Sequence, residues 1–171
     1  MRVGLSLLEQ SGPDNLSLRE VAREAGVTPM GLAHHFGDRN GLLEAMAREG
    51  WGQLSQNFLA LPAGAPREAL SVLLDFSRTR PGLLGLMRSP DLAPHLDGTI
   101  SLCLGEWFRV SGGGGATKAE LVVSWSWALG LADVISAGIA PSACLEPEMV
   151  AGLLDRMADA MSGPELTKPS A

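Results

Sequence analysis

Residues 16–43 read LSLREVAREAGVTPMGLAHHFGDRNGLL and carry the clearest structural signal in this sequence. Ser17 stands three residues before Glu20, in the Ser-x-x-Glu spacing that closes free backbone amides at a helix start. Apolar residues then recur at helical spacing as far as Ala25. Gly26 follows at once, and glycine is the residue that most easily ends a helix in the left-handed conformation. These features predict one short amphipathic helix.

A second short helix is predicted directly after this turn. Thr28 and Pro29 are residue types favoured as the N-cap and the first residue of a helix, which should reach about His35. We expect Val27 to pack into the turn and Leu32 to face inward. Two helices around a short glycine-containing turn form a helix-turn-helix, whose second helix enters the major groove of DNA. The stretch therefore predicts a DNA-binding unit.

The same stretch carries a family signature. Over residues 25–42 it reads AGVTPMGLAHHFGDRNGL, which resembles A-G-V-S-x-x-x-L-Y-x-H-F-x-x-K-x-x-L, the usual signature of TetR-type transcriptional regulators. The resemblance extends without gaps over residues 2–46. Ala33 replaces an aromatic residue that commonly touches a phosphate, whereas Arg39 replaces a Lys and keeps a charge that can clamp one. The sequence begins inside the first helix, so we expect the contacts of the basic arm found in many relatives to be missing.

The motif places a small set of residues near DNA, because the first turns of the second helix meet base edges. Between Thr28 and His34, these turns contain no Arg, Asn or Gln, so we expect sequence discrimination to rest on groove fit and DNA shape. Met30 and Ala33 could touch thymine methyl groups, and Thr28 or His34 could reach phosphate. Ser17 is interpreted equally well as a phosphate contact or as a cap only. The expected DNA-binding residues are Ser17, Thr28, Pro29, Met30, Gly31, Ala33, His34 and Arg39.

No metal, cofactor or catalytic site is predicted. His34 and His35 point about 100° apart on a helix, and no second ligand pair lies nearby, so we expect one to contact phosphate and the other to pack. His95 has no nucleophile or carboxylate at a recognisable spacing. The SGGGG run at residues 111–115 lacks the Lys and the flanking strand of a phosphate-binding loop. The sequence therefore favours a protein that is not an enzyme.

Charge leaves two interpretations open. The 171 residues carry a net charge of −6, and residues 1–50 hold five Arg against seven acidic residues. Residues 27–37 hold no acidic residue, but non-specific affinity for DNA should be weak because each missing phosphate contact lowers counterion release. The main interpretation is a DNA-binding regulator. The other is a dimeric helical module that binds a small molecule or a protein and keeps a weak or vestigial DNA-binding head.

Cysteine usage and hydropathy favour a cytoplasmic protein. Cys103 and Cys144 lie in apolar surroundings without metal-ligand spacing, and we expect both to be reduced core residues. No signal peptide is visible, and no apolar run reaches about 18 residues. The nearest, residues 121–139, contains Asp133, which could face solvent, a dimer partner or a ligand. No contact with a membrane is expected.

The whole pattern predicts an all-α fold of about nine helices. Beyond the helix-turn-helix, apolar periodicity separated by Pro- and Gly-rich breaks predicts helices near residues 1–10, 39–61, 67–80, 81–87, 91–110, 117–138 and 147–161. The predicted domains are a helix-turn-helix domain at residues 1–46, a helical effector-binding and dimerisation domain at residues 47–162, and a disordered tail at residues 163–171.

The second predicted domain contains two short stretches similar to TetR-type effector domains. Residues 76–87, FSRTRPGLLGLM, resemble A-x-x-x-P-x-L-x-x-L-M, and residues 125–131, WSWALGL, resemble the W-x-x-x-H-G-L motif of one subgroup. Leu129 stands where that motif has His, so no polar role is carried over. The resemblance implies that the last two long helices of two subunits form a four-helix bundle.

Hydropathy independently favours a homodimer. Residues 121–139 are apolar on nearly all sides, and such a helix needs burial on more than one face. A twofold partner could cover one face, whereas the alternative is a wholly buried central helix in a monomer. The expected interface residues are Val122, Trp127, Leu131, Val134, Leu153 and Met157.

Large side chains in the second domain suggest a ligand site. Each one alone is best interpreted as core, but together they could line an apolar cavity between helices for a hydrophobic or aromatic ligand. The expected pocket residues are Phe76, Met87, Trp107, Phe108 and Trp125. The predicted function is thus a ligand-responsive, homodimeric transcriptional regulator on a pseudo-palindromic operator, with repression implied by the family resemblance.

Overall fold

The computed structural model describes residues 1–112, 117–136 and 147–162, and every regular element within these ranges is helical. The all-α prediction is therefore confirmed. Most of the SGGGG run, Cys144 and the predicted disordered tail lie outside the described residues. The helices are α1 (Arg2–Ser11), α2 (Leu18–Ala25), α3 (Pro29–Phe36), α4 (Arg39–Leu59), α5 (Pro66–Thr79), α6 (Pro81–Met87), α7 (Ala93–Ser111), α8 (Lys118–Ser136) and α9 (Pro147–Ser162).

Local capping explains where α8 begins. The backbone N–H and the hydroxyl of Thr117 both donate to Glu120 Oε2, at 2.6 and 2.8 Å, while the Glu120 N–H donates to Thr117 Oγ1 at 3.3 Å. This is a reciprocal capping box. The bond from the Thr117 backbone, and then the bond from its hydroxyl, hold the pKa of Glu120 below its usual value.

The chain divides into two compact units. The first unit contains residues 1–53 and 80–101, and the second contains residues 54–79 and the described residues from 102 onward. Helices α4 and α7 each contribute residues to both units. The sequence-based boundary between residues 46 and 47 stays a prediction.

Helix α6 is tied to both α1 and α4 within the first unit. The Glu9 carboxylate accepts hydrogen bonds from the N–H groups of Gly82 at 2.8 Å and Leu83 at 2.9 Å, and so caps the start of α6. At the other end, Trp51 Nε1 donates to the Met87 carbonyl at 3.1 Å. A Cβ at Gly50 would lie 2.6 Å from Met87 Sδ, so α4 approaches α6 closely here. These contacts place α6 with the amino-terminal helices.

The second unit is built around α5 and a group of aromatic rings. Helix α5 packs against α8 and α9. The Trp107 ring makes edge contacts with Phe58 and Trp125, at centroid distances of 5.5 and 5.2 Å. Its Nε1 donates to Ser124 Oγ at 3.1 Å, which satisfies the one polar atom of a fully buried indole.

Two further observations bear on the sequence predictions. Cys103 is buried and free, and burial, followed by the charge of Glu106, raises the pKa of its thiol to about 12. It therefore stays an unreactive thiol at neutral pH. None of the described helices is long and apolar enough to cross a membrane.

Candidate nucleic-acid interface

The α2 helix has the caps that its sequence predicts. Ser17 Oγ accepts a hydrogen bond from the Glu20 N–H at 3.1 Å. Gly26 takes the left-handed conformation, with φ 68° and ψ 28°, and the Val27 N–H donates to the Ala22 carbonyl at 3.0 Å. A side chain at residue 26 would be strained in this conformation. The chain therefore leaves α2 through a backbone conformation that glycine adopts at little energetic cost.

The α3 helix begins with the predicted cap as well. Thr28 Oγ1 accepts from the Gly31 N–H at 3.1 Å, and Pro29 is the first helical residue. Val27 is 49% exposed, so the expectation that it packs into the turn is wrong. The reason is that Leu32 and Phe36, both half-buried, supply the inward contacts of α3 instead.

One face of α3 points away from the rest of the first unit. Met30, Gly31 and His34 follow helical spacing on α3 and are exposed, and Val27 in the preceding turn is exposed as well; we call these four residues the reading face. Met30 has 82% of its surface accessible. Ala33 is half-buried at the edge of this face. Of the two residues expected to meet methyl groups, Met30 is thus the better placed.

The two neighbouring histidines have different surroundings. The His35 ring makes an edge contact with the Phe36 ring at a centroid distance of 4.5 Å, whereas His34 lies on the reading face. Both side chains are exposed, and the expectation that one contacts phosphate while the other packs stays a prediction. The described residues contain no group of three or more His, Cys, Asp or Glu that could hold a metal ion.

Arg39 is already engaged by the protein backbone. Its Nε donates to the Leu16 carbonyl at 3.0 Å, and its Nη2 donates to the Pro13 carbonyl at 2.5 Å. The side chain therefore fastens the loop between α1 and α2 to the start of α4. Sequence reasoning missed this role because carbonyl acceptors in a loop 23 residues away leave no mark in the sequence. Its role as a phosphate clamp stays a prediction.

Two of the other four arginines in residues 1–50 are paired with carboxylates. Arg23 lies 3.3 Å from Glu24, and Arg48 lies 2.7 Å from Glu44. Such exposed pairs contribute little stability, but each carboxylate lowers the positive potential that a phosphate would meet. These two pairs consequently reduce what Arg23 and Arg48 can contribute to an attraction for DNA.

The expected pocket residues are mostly core. Phe76, Trp107 and Trp125 are buried in the second unit, where Phe108 is half-buried, and Met87 is buried in the first. The first unit also has a surface cleft of about 620 Å³ between the α1–α2 loop, the start of α4 and the segment after α6. Its lining includes Asp14, Asp38, Arg39, Asp91 and His95, so it differs from the predicted apolar cavity. The effector pocket stays a prediction.

Helix α8 is buried on one side only. Ser124, Trp125, Ala128 and Ala132 face the core of the second unit. The alternative of a wholly buried central helix in a monomer is therefore wrong for this chain. On the other side lie exposed apolar residues, which we call the α8 face: Val122, Val123, Trp127 and Val134. Of the remaining expected interface residues, Leu153 is exposed, whereas Leu131 and Met157 are half-buried.

Comparison with known proteins agrees with this geometry. Residues 1–46 match the family model of bacterial regulatory proteins of the tetR family. The HTH-type transcriptional regulator BetI of Escherichia coli O17:K52:H18 is 35% identical over 75 residues, which are 42% of this chain and 38% of that protein. BetI of Escherichia coli O139:H28 is 34% identical over 74 residues, 41% of this chain and 38% of that protein. The chain thus matches well under half the length of these relatives.

A solved structure shares the fold along most of the chain. It is that of a protein with unknown function from Rhodococcus sp. RHA1, with a TM-score of 0.73 and 24% sequence identity over 92% of this chain and 89% of that one. At this identity the similarity shows the fold alone. The capped helix-turn-helix lies within residues 1–46, the region that matches the tetR family model. The amino-terminal region of the chain is therefore similar to the bacterial regulatory proteins of the tetR family.

Proposed function

We propose that the protein is a DNA-binding transcriptional regulator, a homodimeric repressor that responds to a small apolar ligand. The observation that carries the proposal is the capped helix-turn-helix with an unobstructed reading face on α3, inside the region that matches the family model. The curated relatives are named HTH-type transcriptional regulators, which supports the same function. With a DNA partner, the protein would act in the cytoplasm.

The α8 face supports the homodimer. Trp127 is 51% exposed, between the exposed Val123 and Val134 on the same helix. Full burial of an exposed apolar side chain is worth about 1.5–3 kcal/mol, and because these side chains are already about half buried, covering them would contribute roughly half of that each. A second copy related by a twofold axis covers identical faces at once. In such a dimer, two α3 helices enter successive major grooves about 34–36 Å apart on a pseudo-palindromic operator.

The aromatic group of the second unit supports an apolar ligand. Phe58, Trp107 and Trp125 form a continuous apolar surface within that unit. A ligand that separates these helices would bind one dimer state more tightly than the other. Only such unequal binding shifts the population away from the DNA-binding state.

A second candidate function is a dimeric helical module with a weak DNA-binding head. The observation that favours it is the engagement of Arg39 by backbone carbonyls and of Arg23 and Arg48 by carboxylates. Because phosphate contacts dominate affinity for DNA, fewer available arginines mean weaker binding.

Selection of duplexes from a randomised library, with the full chain as bait, separates the two functions. We expect an enriched pseudo-palindrome, bound at 0.15 M salt with a shallow salt dependence because few phosphates are contacted. His34→Glu places a carboxylate on the reading face and should weaken binding at least about 10-fold. His95→Glu adds the same charge at another exposed position and is the matched control. Absence of any enriched sequence, with binding only at very low salt, would favour the weak-head module.

A further inference from the structure

We infer that Met30 reads the 5-methyl group of a thymine in each half of the operator. This inference rests on the proposed DNA-binding function. Met30 is 82% exposed, the largest value among the large apolar side chains in the described part of the chain. It lies on the helix that a helix-turn-helix inserts into the major groove. An apolar side chain so placed gains affinity when it meets an apolar group on the DNA.

Thymine is the base that supplies such a partner. In the major groove it displays a C5 methyl group, whereas the edges of the other bases display donors and acceptors. The reading face offers no amide or guanidinium for a paired hydrogen bond to guanine or adenine, and its one polar side chain is His34. Val27, 49% exposed, extends the apolar surface beside Met30. The chemistry of this face thus matches a methyl group better than a polar base edge.

The backbone around Met30 favours a close approach. Met30 is the second residue of α3, in the turn fixed by the bond between Thr28 Oγ1 and the Gly31 N–H. Gly31 next to it projects no side chain, so nothing at that position holds the helix away from the base edges. The unbranched thioether of Met30 can then adapt to the methyl position. Ala33, half-buried and short, reaches less far from the helix.

Replacing thymine by deoxyuridine tests this contact, because deoxyuridine lacks only the methyl group. In the operator selected with the full chain, each thymine of a half-site is replaced in turn, and affinity is measured by fluorescence anisotropy. Loss of one buried methyl should weaken binding of the unmodified protein about fourfold at one thymine per half-site. Met30→Ala should bind both duplexes equally. Leu102→Ala, which truncates another exposed apolar side chain, at 71% exposure, is the matched control and should keep the fourfold difference.

The possible outcomes distinguish a failure of the Met30 contact from a failure of the proposed DNA-binding function. A thymine whose methyl group matters to the unmodified protein and to Leu102→Ala, but not to Met30→Ala, supports the contact. Equal sensitivity to deoxyuridine in all three proteins, or none in any of them, overturns it while leaving operator binding in place. A library that yields no enriched duplex overturns the inference together with the proposed function. Thermal unfolding of Met30→Ala should match that of the unmodified protein, since the side chain packs against little.

Discussion

The reading face of α3 and the α8 face are both exposed and largely apolar, but the helices behind them differ. Helix α3 contains no fully buried residue and is held by its caps and a few half-buried side chains. Helix α8 has one side deep in the core and large aliphatic and indole groups on the other. The first arrangement is consistent with a partner that is bound reversibly, such as DNA, and the second with a protein partner that stays bound. Exposure alone therefore does not distinguish the two kinds of partner. The packing of the helix beneath the exposed face does.

The substitution with the largest expected effect is Trp127→Asp on the α8 face. If a second copy covers this face, a carboxylate there should raise the dimer dissociation constant by at least about 30-fold, because a central Trp commonly dominates an interface. Analytical ultracentrifugation across protein concentration measures it. Leu102→Asp, at an exposed position on α7, is the control and should leave the dimer intact. Equal association of both variants would contradict a dimer through α8.

A second test alters a buried ring in the core of the second unit. Trp107→Phe keeps a ring but deletes the indole nitrogen that donates to Ser124 Oγ, and it leaves a gap between the rings of Phe58 and Trp125. We expect a loss of about 1–3 kcal/mol in the free energy of unfolding. Denaturant titration measures this loss, with Leu102→Ala at an exposed position on α7 as the control. If the control lost as much stability as Trp107→Phe, burial of the Trp107 ring would not be what stabilises the second unit.

A third test concerns the caps that hold α3. Thr28→Ala removes the acceptor for the Gly31 N–H and should lower the free energy of unfolding by about 1 kcal/mol. Thr28→Ser keeps the hydroxyl and should retain most of the free energy of unfolding that Thr28→Ala loses. Since the capped turn also carries Met30, operator affinity should fall with Thr28→Ala and recover with Thr28→Ser. Unchanged stability in Thr28→Ala would mean that half-buried contacts alone hold α3.

Acid unfolding provides the smallest expected effect. The pKa of Glu120 is lower in the folded protein because Thr117 donates two hydrogen bonds to its carboxylate. The stabilisation is thus fully present above the pKa of the unfolded chain and is lost as the pH falls through the lower folded value. Glu120→Gln should flatten the decrease in stability at acid pH relative to the unmodified protein. If stability fell equally with pH in both proteins, this capping box would have no role in acid unfolding.

Local chemistry made much of the first unit predictable from sequence. The Ser17, Gly26 and Thr28 caps depend on residues three or four apart, so each is visible in the sequence, and α6 begins at Pro81 and ends at Met87 as predicted. The engagement of Arg39 by distant carbonyls and the capping of α6 by Glu9 depend on tertiary approach. No sequence spacing encodes these contacts. Val27 was misjudged for a related reason, because which apolar residues fill a turn depends on the helices packed beneath it.

The ratio of two affinities tests most directly whether the protein reads a DNA sequence through α3. The full chain is titrated, at 0.15 M salt, with the selected pseudo-palindromic duplex and with a scrambled duplex of equal length and composition. A regulator that reads DNA through α3 should bind the selected duplex at least about 1,000-fold more tightly, and His34→Glu should collapse that ratio. A ratio near one for the unmodified protein would mean that α3 does not read a specific DNA sequence.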